Sequence, residues 1–300
     1  MTSEAFLKYI RYELNLSACT VLSYKNDLRQ LSNYLTGDGK EEFDAASVTS
    51  GDIRAWIAYL SRKGLSSRSI RRKIQAVRAF YKYLILTGEV TENPAADVEL
   101  AKIRKPLPVF VREENINELI DEEIDTGDFE EVRDKLMIMM LYETGIRRAE
   151  LIGLKDKDVD DAKGELKVLG KRNKERIVPF GHELAGWISK YRQVRANQVG
   201  TALTESFFVR ETGEPLYPML VHRIVHRELT QAGGSSRQSP HVLRHTFASA
   251  MLNGGADLNS VKELLGHESL AATQVYTHIT FRELKSNYEH AHPRALKKGG

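Results

Sequence analysis

The sequence predicts a mainly α-helical protein of two parts, the second carrying a small antiparallel sheet. Three observations predict this. In the first hundred residues, apolar positions recur every three or four residues and show no strand signal. The stretch "ELAKIRKPLPVF", with Pro106 and Pro108, then interrupts the pattern. Beyond it, helical stretches surround two short runs, "ELKVLG" and "ERIVPF", joined by the polar "KRNK", which together read as a hairpin. At 300 residues the chain is too long for one comfortable core, so two domains are expected: 1–100, a basic linker at 101–109, and 110–300.

The elements follow in order. Helices are expected over 3–14, 18–35, 50–63 and 66–86. Phe6, Leu7, Ile10 and Leu14 mark the first apolar face; Val21, Leu22, Leu28, Leu31 and Leu35 mark the second, and Gly37 to Lys40 break it. In the fourth, Ser66 or Ser67 supplies the cap, and Ile70, Ile74, Val77, Tyr81 and Leu84 form one face. Arg68, Arg71, Gln75, Arg78 and Lys82 share another. Residues 62–82, which include Arg72, hold eight Lys/Arg and no acid, although the net charge of the whole chain is only +3. A cationic helix face with a glutamine able to reach a base edge fits a nucleic-acid duplex, and the linker cations Lys102, Arg104 and Lys105 extend that candidate surface. A basic helix docked on an acidic protein would have the same composition. Residues 113–134 hold eleven acids and the single base Arg133, and read as a solvated face turned away from any phosphate.

In the second part, 111–120, 129–145, 182–195, 218–231, 241–253, 257–265 and 281–290 read as helices, and "SFFV" at 206–209 as a third strand. Met137, Ile138, Met139 and Met140 read as core. No period of 20–50 residues recurs.

Several function classes are disfavoured. No apolar run reaches the roughly 18 residues that span a bilayer, and the start lacks a signal pattern, so a cytoplasmic location away from the membrane is expected. Cys19 is the only cysteine, which rules out an internal disulfide and a CxxC metal site; it reads as a small buried apolar residue. His241 and His245 are spaced for two metal ligands, but Val242 stands where a metalloprotease needs glutamate, so no metal or other cofactor is expected. Neither a G-x-x-x-x-G-K-[ST] loop nor a GxSxG elbow is present.

Six polar side chains remain where a fold alone would not require them: Arg147 in "TGIRRAEL", Lys171 at the hairpin tip, His241 and Arg244 in "SPHVLRHTFAS", His267 after Gly266, and Tyr276 in "TQVYTH". Each alone has an ordinary structural explanation. As a set they suit attack on a phosphodiester. Arginine forks bind the charge that grows on the non-bridging oxygens. Histidine moves a proton or adds a hydrogen bond, lysine protonates a departing alkoxide, and tyrosine serves as nucleophile. The phenol's free pKa is about 10, so neighbouring cations must favour the phenolate as it forms.

These motifs resemble those of the tyrosine site-specific recombinases, the lambda-integrase superfamily, and most of all its Xer branch. "TGIRRAEL" resembles the first-arginine motif, "GKRNKER" the hairpin lysine motif with Lys174 as a second candidate beside Lys171, "HVLRH" the His-x-x-Arg motif, and "LLGHESLAATQVYTH" the closing motif. "NYEHAHPRA" is similar to the Xer tail. The resemblance covers almost the whole chain. It implies an N-terminal core-binding, SAM-like domain and an α+β catalytic domain. It also implies a 3′-phosphotyrosyl intermediate formed by Tyr276, with Lys171 protonating the leaving oxygen, Arg147, Arg244 and His267 stabilising the phosphate, and His241 assisting proton movement. Neither metal nor ATP is used. The implied partners are a double-stranded DNA site, a homotetramer or paired recombinase in which residues 281–300 dock on a neighbour, and a septal DNA translocase, all at the nucleoid. The alternatives are an integrase or transposase of a mobile element, a relaxing topoisomerase, and a DNA-bridging accessory protein that cuts nothing.

Overall fold

The computed structural model describes residues 2–37, 43–101, 111–170, 174–200, 204–233, 238–266 and 281–295. Its contacts divide into two compact units, Met1–Pro106 and Leu107–Gly300.

The first unit is a four-helix bundle: α1 (Thr2–Tyr12), α2 (Ala18–Thr36), α3 (Ser50–Arg62) and α4 (Ser67–Leu86). Each of the last three starts on a side-chain cap. Ser17 Oγ accepts from Thr20 N at 3.2 Å, Thr49 and Asp52 cap each other reciprocally, and Ser66 Oγ accepts from Ser69 N at 3.2 Å, so Ser66 is the cap of α4. Phe6, Ile10, Leu28, Leu31, Trp56, Ile74, Val77, Phe80 and Leu84 fill the core. Three expectations need correction. Leu14 and Leu22 are half exposed, because α1 already ends at Tyr12 and Leu22 turns away from the bundle. Cys19 is exposed in the first turn of α2 rather than buried.

The second unit begins with α5 (Glu113–Asp121) and α6 (Phe129–Thr144), followed by α7 (Arg148–Gly153). A three-stranded antiparallel sheet comes next, β1 (Val159–Asp160), β2 (Glu165–Leu169) and β3 (Glu175–Pro179), in that spatial order. Then come α8 (His182–Gln198), α9 (Pro218–Gln231), α10 (Pro240–Asn253), α11 (Leu258–Leu265) and α12 (Phe281–Ala291). From Leu136 to Thr144 helix α6 is buried on every side and packs against α8 and α10, with Met137, Ile138, Met139 and Met140 all in the core. The expected third strand at 206–209 is not one; the third strand is β1. Phe207, Phe208 and Val209 are buried, but the segment makes only isolated bridges, Ser206 with Lys155 and Val209 with Pro215, and no continuous ladder. Phe207 N donates to Leu154 O at 2.8 Å, Phe207 O accepts from Arg195 Nη1 at 2.6 Å, and Val209 N donates to the Tyr191 hydroxyl at 3.1 Å. The eleven acids of 113–134 are mostly exposed, as expected; Asp134 is the exception, buried against Arg133 and Arg227.

Among the described residues, no helix is long and apolar enough to cross a membrane.

Candidate active site

The site begins where α6 stops. Gly145 closes that helix at φ +60°, and a Cβ there would lie 2.4 Å from Phe247 Cδ1 and 2.9 Å from Leu265 Cδ2. Only glycine fits so close an approach at a left-handed φ. The turn lays Arg147 at the head of α7. There the backbone N–H of Arg147 donates to Glu150 Oε2 and its Nη1 donates to Glu150 Oε1, both at 2.7 Å.

Arg244 reaches the same place from α10. It is 7% exposed and donates to the carbonyls of Gly145 and Leu265. The other Arg147 nitrogen, Nη2, donates to Gly266 O at 2.8 Å. A third arginine, Arg176 of β3, donates from Nε to Leu264 O at 2.7 Å. Three guanidinium groups therefore hold three consecutive carbonyls, 264 to 266, at the C-terminus of α11, which Gly266 closes at φ +61°. That helix end carries partial negative charge and unmet carbonyls, and cations satisfy both. The next residue in sequence is His267.

So many cations in a half-buried cluster require a counter-charge. Glu150, 6% exposed, supplies it, and each of its oxygens takes two donors: Arg176 gives Nη1 to Oε1 and Nη2 to Oε2, both at 2.9 Å. Burial alone would raise the Glu150 pKa; hydrogen bonds from Arg176 and from the Arg147 backbone outweigh it and hold the carboxyl below the usual range. Burial, followed by the charge of Arg147, pulls Arg244 down to about 10, so it stays a cation at neutral pH. His241, exposed at the first turn of α10, is shifted down by partial desolvation and then by the charges of Arg148, His245, Arg244 and Arg147. That shift favours the neutral imidazole, the form able to accept a proton. Arg147, His241 and Arg244 are thus brought together; Lys171, His267 and Tyr276 lie outside the described residues. Lys174 is exposed at the hairpin, where its carbonyl accepts from Gly170 N at 2.8 Å.

Residues 109–283 match the model of the phage integrase family, and residues 4–88 match that of the phage integrase N-terminal SAM-like domain. The chain is 40% identical to the tyrosine recombinase XerC of Chlorobaculum tepidum, with 97% of this chain and 94% of that protein covered. The chain belongs to the phage integrase family.

Within that family it is a tyrosine recombinase of the Xer type. The tyrosine recombinase XerD of Chlorobaculum tepidum is also 38% identical, over 98% of this chain and 96% of its own. Two solved structures show the family fold. One is XerH bound to a palindromic difH substrate after cleavage, at a TM-score of 0.69 and 20% identity, covering 96% of this chain and 84% of that one. The other is a lambda integrase dimer bound to a core site, at a TM-score of 0.63 and 18% identity, covering 91% of this chain and 98% of that one.

In the first unit, α4 presents Arg68, Gln75 and Lys82 to solvent. Arg72 is half exposed and forks onto the buried Asp27, which also binds Lys73 Nζ at 2.9 Å. Arg71 and Arg78 have other work. Arg71 Nη2 donates to Ala101 O at 3.1 Å, and Arg78 donates to the carbonyls of Ala95, Ala96 and Val98 at 2.8, 3.1 and 2.9 Å. The expected stripe of 68, 71, 75, 78 and 82 is therefore divided: 68, 75 and 82 face outward, while 71 and 78 fasten the segment that follows the helix, and the neighbouring Arg72 is held by Asp27. Lys102, Arg104 and Lys105 lie outside the described residues.

Sequence reasoning missed Glu150 and Arg176. A signal for Arg176 existed. In β3 it sits two residues before the buried Val178 and pairs with the buried Val168, so alternation puts a charge on the inner face of a hairpin. Glu150 follows Arg147 at a capping spacing, a second sign that was available.

Proposed function

We propose that the protein is a site-specific DNA recombinase that cuts and rejoins double-stranded DNA through Tyr276, in resolution of chromosome or plasmid dimers of the Xer kind. The Tyr276 phenol oxygen attacks a DNA phosphorus, forming a 3′-phosphotyrosyl bond while the bond to the 5′ oxygen breaks. His241, in the neutral form that its surroundings favour, takes up the phenol proton. Lys171 gives a proton to the departing 5′ oxygen. Arg147, Arg244 and His267 bind the non-bridging oxygens in the transition state. A 5′-hydroxyl from a partner duplex then attacks the phosphotyrosine and restores both a phosphodiester and the phenol, so the bond energy is kept and no ATP is required.

The observation that carries this reading is the convergence of Arg147 and Arg244 on the last carbonyls of α11, immediately before His267 in the chain. Two fixed forks side by side suit the two non-bridging oxygens of one five-coordinate phosphorus as negative charge builds on them. The named relatives support the same reading. Arg68, Arg72, Gln75 and Lys82 of α4, with the linker cations Lys102, Arg104 and Lys105, follow the duplex backbone. Four protomers hold two sites, with a DNA translocase at the septum as activator and residues 281–300 as the exchanged segment, in the cytoplasm with the nucleoid.

The test is trapping on nicked duplexes selected from a randomised pool. A covalent adduct with the wild-type chain, absent with Tyr276→Phe, supports an enzyme; bound but uncut duplex supports an accessory factor. Exchange between two sites, rather than relaxation of one circle, separates a recombinase from a topoisomerase.

A further inference from the structure

We propose that Arg176 is a positioning residue for the phosphate-binding arginine Arg147, acting through the shared carboxylate of Glu150. This rests on the functional reading above. Arg147 alone is a long side chain, 25% exposed, and would sample many rotamers. Glu150 removes that freedom by holding the Arg147 backbone N–H and Nη1 at once. Glu150 must itself be held, because a buried carboxylate with one cationic partner can swing about that contact. The two Arg176 donors fix its plane: both oxygens are engaged in parallel at 2.9 Å, the fork-to-fork geometry. Arg176 is anchored in turn by Leu264 O at 2.7 Å and by its place in β3, opposite Val168.

The arrangement also ties the hairpin to the arginine pair. A Cβ on Gly170 would stand 3.6 Å from Arg176 Nη1 and 3.7 Å from Glu150 Oε1, so the hairpin stem lies in contact with this ion pair. Gly170 immediately precedes Lys171. Arg176 thus sits at the junction of three segments that each lead to a proposed catalytic residue: the α6–α7 turn to Arg147, the hairpin to Lys171, and the end of α11 to His267. Its Nε, Nη1 and Nη2 each donate to a protein group, so it acts through other residues rather than on the phosphate.

The experiment uses the full chain and a nicked duplex selected from the randomised pool, and measures single-turnover adduct formation at saturating duplex. Arg176→Met is expected to lower the rate constant about ten- to hundredfold, the scale of a small misplacement of a binding group. The fraction of chain that finally forms adduct should be retained, and duplex affinity should change less than about threefold. In a Glu150→Ala background, Arg176→Met should add less than about threefold, because its route to Arg147 is already cut. A wild-type rate constant for Arg176→Met would overturn the proposal, as would a loss of adduct amplitude at an unchanged rate, which is the signature of unfolding alone. If Arg176→Met does not fold, Arg176→Lys decides: it keeps the charge without the fork, so a slowed rate at full amplitude supports the proposal and a wild-type rate overturns it. Absence of adduct with the wild-type chain would instead remove the underlying functional reading.

Discussion

Arg244 illustrates how single side chains are set for their task. Two of its five N–H groups hold the carbonyls of Gly145 and Leu265, which fixes the plane of the fork before any phosphate arrives. Its burial costs free energy, and the buried charge of Glu150 offsets part of that cost. His241 is tuned in the opposite sense. Partial desolvation and surrounding cations hold it below its ordinary pKa of 6.5, which favours its proton-accepting form at neutral pH; that form is lost in more acid solution. The rate of adduct formation should therefore be flat through pH 7 and fall below pH 6.5, and His241→Ala should slow it about a hundredfold and remove that limb. An acid limb centred above pH 6.5 in the wild-type protein would contradict the assignment. This histidine was legible in the sequence from its spacing to Arg244. Its electrostatic setting was not, since Arg147 and Arg148 arrive from a distant segment.

At the scale of elements, helix ends build the site. The α6 terminus requires glycine for its conformation and for the ring of Phe247. Gly145→Ala should lower unfolding stability by about 2–4 kcal/mol, combining left-handed strain with overpacking. Gly153→Ala, in open space within α7, should be neutral or slightly stabilising; denaturant titration of the two compares them. The C-terminal element makes a pH-dependent contact. His292 is 4% exposed, stacks on Tyr288 with ring centroids 5.2 Å apart, and accepts on Nδ1 from Arg294 N at 3.3 Å. Burial pushes its pKa down to about 3. Because the folded state resists protonation, its contribution to stability is complete above pH 6.5 and is lost as pH falls from 6.5 towards 3, by on the order of a few kcal/mol. Hydrogen exchange in α12 should rise over that window, and His292→Phe should flatten the dependence. Helix α4 was read correctly as one apolar face and one basic face. Periodicity could not divide the basic face, because the segment that Arg71 and Arg78 fasten lies 17 to 30 residues further along the chain. Arg68→Ala and Lys82→Ala should each reduce the salt dependence of duplex binding by about one phosphate contact. Arg78→Ala should mainly lower the melting temperature of the first unit.

For the whole molecule, the helical class, the small sheet and the motifs were readable from local signals: apolar period, caps, glycine breaks and a polar hairpin turn. What escaped depended on contacts remote in sequence. The 206–209 segment has strand composition but makes only isolated backbone bridges, at Ser206 and Val209, and takes further partners from the side chains of Tyr191 and Arg195. Glu150 and Arg176 look like ordinary surface charges until the end of α11 closes over them. A net charge of +3 likewise conceals a basic block at 62–82 and an acidic block at 113–134 that are separate along the sequence. The central claim is that this scaffold directs a tyrosine hydroxyl at a DNA phosphorus. Mass spectrometry of the protein recovered from a nicked duplex tests it most directly: the account predicts a nucleotide joined by phosphoester to Tyr276, lost in Tyr276→Phe, whereas uncut duplex bound by an unmodified wild-type chain would contradict it.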